Sequence, residues 1–176
     1  MIKRIYELRE NKTGSQIPEF KTVVDVALTD NEIIFEFDCK NSKFYSAYNN
    51  YNDPIWEGDV CEAFICTNGK RDYYYEIEIA PNNTVFLKLI HNKGNEIEEI
   101  EIEENFVDSS VELCGDDYKV RFSIPLDKIG YDKEVGILYN IFRIETEGGI
   151  PEKNLLAMNP TMSGTFHDNS YFVELI

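Results

Sequence analysis

The chain has 176 residues, 43% of them hydrophobic and 28% charged, and its 33 acidic against 17 basic side chains leave a formal net charge of −16. A chain of that size suits one domain that buries roughly 70% of its unfolded surface. Its negative field repels phosphate backbones and anionic headgroups, so neither nucleic acid nor a membrane surface is an expected partner. No apolar run nears the ~20 residues that span a bilayer.

Residues 2–8 alternate as a first strand, and 11–18, with Gly14 and Ser15, form a loop. Two strands, 22–28 and 32–40, flank a turn at Thr29-Asp30-Asn31. In the second, Ile33, Phe35, Phe37 and Cys39 share one face while Glu36, Asp38 and Lys40 share the other, the period of two of a half-buried strand. The polar connection 41–53 carries Tyr45, Tyr48 and Tyr51. Loops of this length in compact domains usually carry function; these rings either line a ligand surface or pack over a sheet edge.

The stretch 54–67, PIWEGDVCEAFICT, is the most informative in the chain. Its Trp56, the only tryptophan, sits in a turn before an apolar run, 60–66, that reads as a buried strand yet holds Glu62. After the turn Asn68-Gly69-Lys70, residues 73–80 alternate, with Tyr73, Tyr75, Ile77 and Ile79 on one face and Tyr74, Glu76 and Glu78 on the other. Strands follow at 84–91 and 97–102, and the acidic run 96–104 reads as a solvated face. Residues 111–114 and 118–124 flank a hairpin turn at Gly115-Asp116-Asp117. PLDKI, 125–129, reads as one helical turn closed by Gly130. A long strand over 136–146 and two short ones, 155–158 and 171–176, flank the last loops. About ten strands with almost no helical periodicity predict an all-β fold, an antiparallel β-sandwich of two packed sheets, in a single domain over 1–176.

The four cysteines, Cys39, Cys61, Cys66 and Cys114, form no CxxC pair and only two histidines accompany them, so no zinc site is expected. Buried free thiols are the simplest reading and suit a reducing compartment. MIKRIYELRENK has neither the apolar core nor the small-residue cleavage site of a signal peptide. The chain as written therefore reads as cytoplasmic; removal of a leader would make it extracellular.

No nucleophile elbow, P-loop, HExxH or dinucleotide fingerprint is present, and no carboxylate pair stands out among the acids, so catalysis is not expected. Binding has better signals. The indole of Trp56 either stacks on the C–H face of a sugar or caps the core. Glu62, alone inside an apolar strand, costs several kcal/mol unless it is paired or hydrogen-bonded. It either pairs with a base such as Arg143, itself a cation within an apolar strand, or accepts hydrogen bonds from ligand hydroxyls. Asn140, three positions before Arg143, faces the opposite way along a regular strand.

Five runs in consistent order over residues 56–176 carry a resemblance: WEGDVCEAFICT, YYYEIEIAPNNTVF, YKVRFSIPLDKIG, GILYNIFRIE and NPTMSGTFHDNSYFVELI. Together they resemble the family 9 carbohydrate-binding modules, β-sandwiches of the DOMON-like superfamily. The resemblance implies a non-catalytic domain that holds a terminal sugar between two aromatic walls. Trp56 matches the first wall, Glu62 the glutamate that follows it, and Asn140 an asparagine on the long strand. Phe166 stands where the second tryptophan is found, and Glu76 falls near the family's sugar-binding arginine, reversing its charge. The expected saccharide-binding residues are therefore Trp56, Glu62, Glu76, Asn140, Arg143 and Phe166. The resemblance also implies structural calcium near the N-terminal strands, with no residue assigned, and no other cofactor. Two further readings follow from it. One is a haem-binding domain using Met158, Met162 and His167 as axial ligands, as some DOMON-like relatives bind haem. The other is a structural or protein-interaction domain that kept the sandwich and lost the sugar.

Overall fold

The computed structural model describes residues 1–40 and 43–175. Among them are thirteen strands: β1 (Ile2–Glu7), β2 (Arg9–Glu10), β3 (Thr22–Leu28), β4 (Glu32–Cys39), β5 (Val60–Cys66), β6 (Tyr73–Ile79), β7 (Val85–Asn92), β8 (Ile97–Glu101), β9 (Asp108–Cys114), β10 (Asp117–Pro125), β11 (Leu138–Glu145), β12 (Asn154–Ala157) and β13 (Val173–Glu174). Three short 3₁₀ segments, Pro18–Phe20, Ile55–Glu57 and Asn169–Tyr171, are the only helical pieces among the described residues. None is long and apolar enough to cross a membrane.

The strands form two antiparallel sheets. One has the order β1-β3-β4-β10-β9; the other runs β2-β12-β11-β5-β6-β7-β8, with β13 also pairing with β11. Side chains of alternating strands meet between the sheets, as the period of two requires. Val24, Val26, Phe35, Phe37, Tyr118 and Phe122 from the smaller sheet pack there against Ala63, Ile65, Ile77, Leu87, Tyr139 and Ile141 from the larger. Phe35 stacks on Phe122 at 5.0 Å between ring centroids.

The larger sheet is also covered on its outer face. A second cluster, including Val60, Phe64, Tyr74, Phe86, Phe142, Phe166 and Phe172, lies there under the segments before β5 and after β12. This explains why β5 and β11 are buried along their whole length and read as continuous apolar runs, the pattern of strands covered on both faces. Glu62 is therefore a side chain of the covered outer face.

The sandwich agrees with the sequence reading, with three local differences. β2 and β13 are two-residue bridges, too short to carry a hydrophobic period, and raise the strand number above ten. The segment 126–130 is a series of turns, with Lys128 N–H donating to the Pro125 carbonyl, and makes no helix. The last expected strand narrows to β13, and its final position, residue 176, lies outside the described residues. Cys39, Cys61 and Cys66 are buried free thiols, but Cys114 is exposed, because β9 is an edge strand. Cys39 Sγ and Cys61 Sγ lie 3.5 Å apart across the two sheets.

Arg143 belongs to the interior between the sheets. Its neighbour Phe142 pairs with Glu62, while Arg143 pairs with Cys61, so Glu62 and Arg143 point to opposite faces. The guanidinium donates to Thr22 Oγ1 at 2.8 Å and lies over the Tyr118 ring. Of the two readings open for Glu62, pairing with Arg143 is therefore excluded by the strand faces, and Arg143 does not reach the outer face.

Candidate functional site

On the outer face of the larger sheet lies a cavity of about 580 Å³, within the range of small-ligand pockets. Its floor is the outward row of β5, β6 and β7. Glu62 stands directly opposite Glu78 in the β5–β6 register, and Glu76 lies two positions along β6 on the same face, opposite Phe64. Phe86 and Lys88 continue the row on β7, opposite Glu78 and Glu76. Glu62, Phe64, Glu76, Glu78 and Phe86 all line the cavity.

Two loops build the walls. Trp56 sits in the 3₁₀ segment Ile55–Glu57, half-buried, with its ring edge-to-face on Phe86 at 5.0 Å. Asp59 ties this loop down: its carboxylate accepts from Tyr45 N–H at 2.8 Å and from the Thr146 hydroxyl at 2.6 Å. Lys153 donates its ammonium to the Trp56 carbonyl. The second wall is Phe166, which stacks on Phe142 at 4.2 Å and is almost fully buried. His167 beside it stacks on Phe64, and its Nδ1 bonds the Tyr74 hydroxyl at 2.8 Å. The loop bearing both is pinned by Asn11, whose side chain bonds Thr161 and the Ser163 carbonyl.

The floor is electrostatically costly. Glu62 and Glu78 are each 2% exposed and Glu76 7%. Like charges directly opposed across a strand pair repel. Burial pushes the Glu62 and Glu78 carboxyls well above the usual carboxylate range, the neighbouring carboxyls adding to the shift. Burial lifts Glu76 to about 8. Lys88, across from Glu76, turns instead to Glu101 at the sheet edge. Burial also holds the His167 imidazole down at about 4, so it stands neutral at pH 7, 3.9 Å from Glu76.

Of the six expected site residues, Trp56, Glu62, Glu76 and Phe166 line this one cavity. Asn140 faces the same side of the sheet but is fully buried beside it. Its amide donates to the Asn159 carbonyl at 2.8 Å and its oxygen accepts from Asn159 N–H at 3.1 Å, so it anchors the start of the second loop. Arg143, on the inner face, is not part of the cavity. Tyr45, Tyr48 and Tyr51 do not line it either. Tyr48 and Tyr51 pack on the two hydrophobic clusters, and Tyr45 is exposed. Sequence reasoning missed Glu78, Lys153, Phe64 and Phe86 as site residues. Glu78 shares the period-two face of Glu76, so its place was readable once that face was known to be covered. The candidate haem ligands are dispersed: Met158 packs against the inner core, Met162 is exposed and His167 lies in the cavity. At the N-terminal strands no three acidic, histidine or cysteine ligand atoms gather among the described residues; the one such group is Glu62, Glu76 and Glu78.

Solved structures of the same architecture are known. A protein from Bacteroides uniformis named as carbohydrate-binding superposes with a TM-score of 0.75 at 16% identity, over 96% of this chain and 84% of that one. A family 9 carbohydrate-binding module from Caldicellulosiruptor kristjanssonii, solved with glucose, superposes at 0.67 with 15% identity, over 96% and 82% of the two chains. A second structure of a family 9 module from that organism, solved with cellotriose, gives 0.62 at 15% identity, over 95% and 77%. The chain has the family 9 carbohydrate-binding-module fold. A protein from Arthroderma benhamiae named "Extracellular protein" is 24% identical over 178 residues, covering 92% of this chain and 80% of that one. No family model matches the sequence. In this family 9-like sandwich the cavity opens on the outer face of the larger sheet, roofed by the two loops that bear Trp56 and Phe166.

Proposed function

We propose that the chain is a non-catalytic saccharide-binding domain that takes the end of a glucan, or a short piece of one, into the cavity beside Trp56. The observation that carries this is the placement of the only tryptophan, half-buried, at the wall of a 580 Å³ cavity with carboxyls on its floor. An indole π-face beside polar acceptors suits a pyranose, which offers axial C–H groups on one face and hydroxyls around its rim. The shared fold with modules solved with glucose and cellotriose supports the reading.

Within it Trp56 is the stacking wall, and Glu62 and Glu76 are the groups that face the hydroxyls. Phe166, with one face already stacked on Phe142 and little of the ring exposed, makes a weaker second wall. Asn140 serves by holding the loop. A site for one or two sugar units with one good wall gives dissociation constants between about millimolar and micromolar. The extracellular description of the Arthroderma relative supports a place outside the cell, where such ligands occur.

The test is calorimetric titration of the purified protein with glucose, cellobiose and cellotriose, repeated with Trp56→Ala. Saturable binding that disappears in the variant is expected. A wild type that binds no saccharide, or a variant that binds as well as wild type, contradicts the proposal.

A further inference from the structure

Two of the three carboxyls on the cavity floor, Glu62 and Glu78, each keep a buried oxygen without a hydrogen-bond partner, and the third, Glu76, has Glu78 and the neutral His167 as its neighbours. One oxygen each of Glu62, Glu76 and Glu78 lies within 4.8 Å of the others. Among the described residues no lysine or arginine forms an ion pair with any of them: Lys88 is committed to Glu101, and Lys153, which lines the cavity with Lys12 and whose charge is felt by Glu62 and Glu78, donates to the Trp56 carbonyl. Independently, Glu62 Oε1 and Glu78 Oε2 are fully buried and accept no hydrogen bond. Buried unpartnered acceptors are rare in folded proteins and ask for a ligand.

We infer that Glu62, Glu76 and Glu78 form a binding site for a calcium-class divalent cation at the floor of the saccharide pocket. The choice of ion follows from the donors. All three are hard oxygens, which select calcium or magnesium over the softer transition metals. Two oxygens on opposite sides of one calcium ion stand about 4.8 Å apart, twice a calcium–oxygen distance of about 2.4 Å. Calcium takes six to eight oxygens, and three carboxylates supply between three and six of them. Magnesium dehydrates reluctantly and keeps several waters, which suits a site walled by Phe64 and Phe86 less well. A single ammonium would leave two of the three carboxylates uncompensated. The cation's remaining coordination positions face the cavity, so on the saccharide reading above a pair of adjacent sugar hydroxyls completes the shell.

The full chain is stripped with a chelator and titrated with calcium chloride by calorimetry, and separately with terbium, a calcium substitute whose emission is sensitised by a nearby indole such as Trp56. One saturable site is expected, with sensitised terbium emission displaced by calcium. Glu62→Gln and Glu78→Gln weaken calcium binding by at least about tenfold, since each removes one of three carboxylate ligands. A cooperative melting transition of each stripped variant shows that it is folded. Calcium binding unchanged in both variants means that the ion sits on the acidic surface, and overturns the inference. So does the absence of any saturable site, or binding of glucosamine to stripped protein that takes up no calcium, which would make the ligand an ammonium. Saccharide titrations with and without calcium separate the two readings. Calcium binding without any sugar binding upholds the cation site and refutes the saccharide reading; sugar binding with no calcium site does the reverse.

Discussion

Trp56 and Gly58 show how much of the site depends on single side chains. Trp56 is half-buried against the second hydrophobic cluster and crosses Phe86 edge-to-face, so Trp56→Ala removes the proposed stacking face while costing the fold about 1–2 kcal/mol. For a chain of this length that is a fall of roughly 2–8 °C in melting temperature, readable by calorimetry. A collapse well beyond that range would make Trp56 a core residue first. Gly58, two positions on, has an ordinary backbone conformation but no room: a Cβ there would run into the Tyr45 carbonyl oxygen. Because the obstacle is backbone, Gly58→Ala must displace the loop that bears Trp56. Weakened saccharide affinity with Trp56 itself intact is expected, and the same affinity as wild type would show that the loop yields without moving the ring.

At the scale of elements, β11 carries two polar side chains with opposite duties. Asn140 faces outward and bonds the backbone of Asn159, fixing the loop that ends in Phe166 and His167. Arg143 faces inward and donates to Thr22 beneath the smaller sheet. Asn140→Ala should lower both stability, by about 1–3 kcal/mol, and affinity, because three backbone groups lose a buried partner and the loop is freed. Arg143→Leu should lower stability by a similar amount, since Thr22 and nearby carbonyls lose their donor, and leave affinity unchanged in the folded protein. Paired melting and titration curves for the two variants check this; an affinity loss in Arg143→Leu would contradict the assignment of faces. Alternation made these faces legible in sequence: Asn140 and Arg143 are an odd number of positions apart. Sequence reasoning could not say which face was covered by loops, because that depends on contacts between β11 and segments distant along the chain, such as Asn140 with Asn159 and Phe142 with Phe166. The same gap explains Glu78, which shares a readable face with Glu76 whose burial was not readable.

The whole molecule carries a net charge of −16, much of it on exposed strands such as β8, where Glu98, Glu99 and Glu101 are all exposed. Self-repulsion of this kind destabilises the compact state and is screened by salt. The melting temperature should therefore rise on adding sodium chloride to a low-salt solution, and a fall would show that the surface ion pairs of Lys40 and Arg121 outweigh the repulsion. The sandwich was legible because turns, strand alternation and the ordered runs from Trp56 onward all agree. The second hydrophobic cluster was the part hidden from sequence. Phe64, Phe142, Phe166 and Phe172 look like members of one ordinary core, and only the topology sorts them onto the outer face.

The presence of a single tryptophan at the cavity wall makes one measurement decisive. Indole fluorescence, excited where tyrosine does not absorb, is followed while cellotriose is added to the calcium-loaded protein. A saturable change in Trp56 emission, with a midpoint matching the calorimetric dissociation constant, is the result that saccharide binding beside Trp56 requires. Calorimetric binding with unaltered indole emission would place the sugar elsewhere on the molecule, and no change by either method would refute saccharide binding.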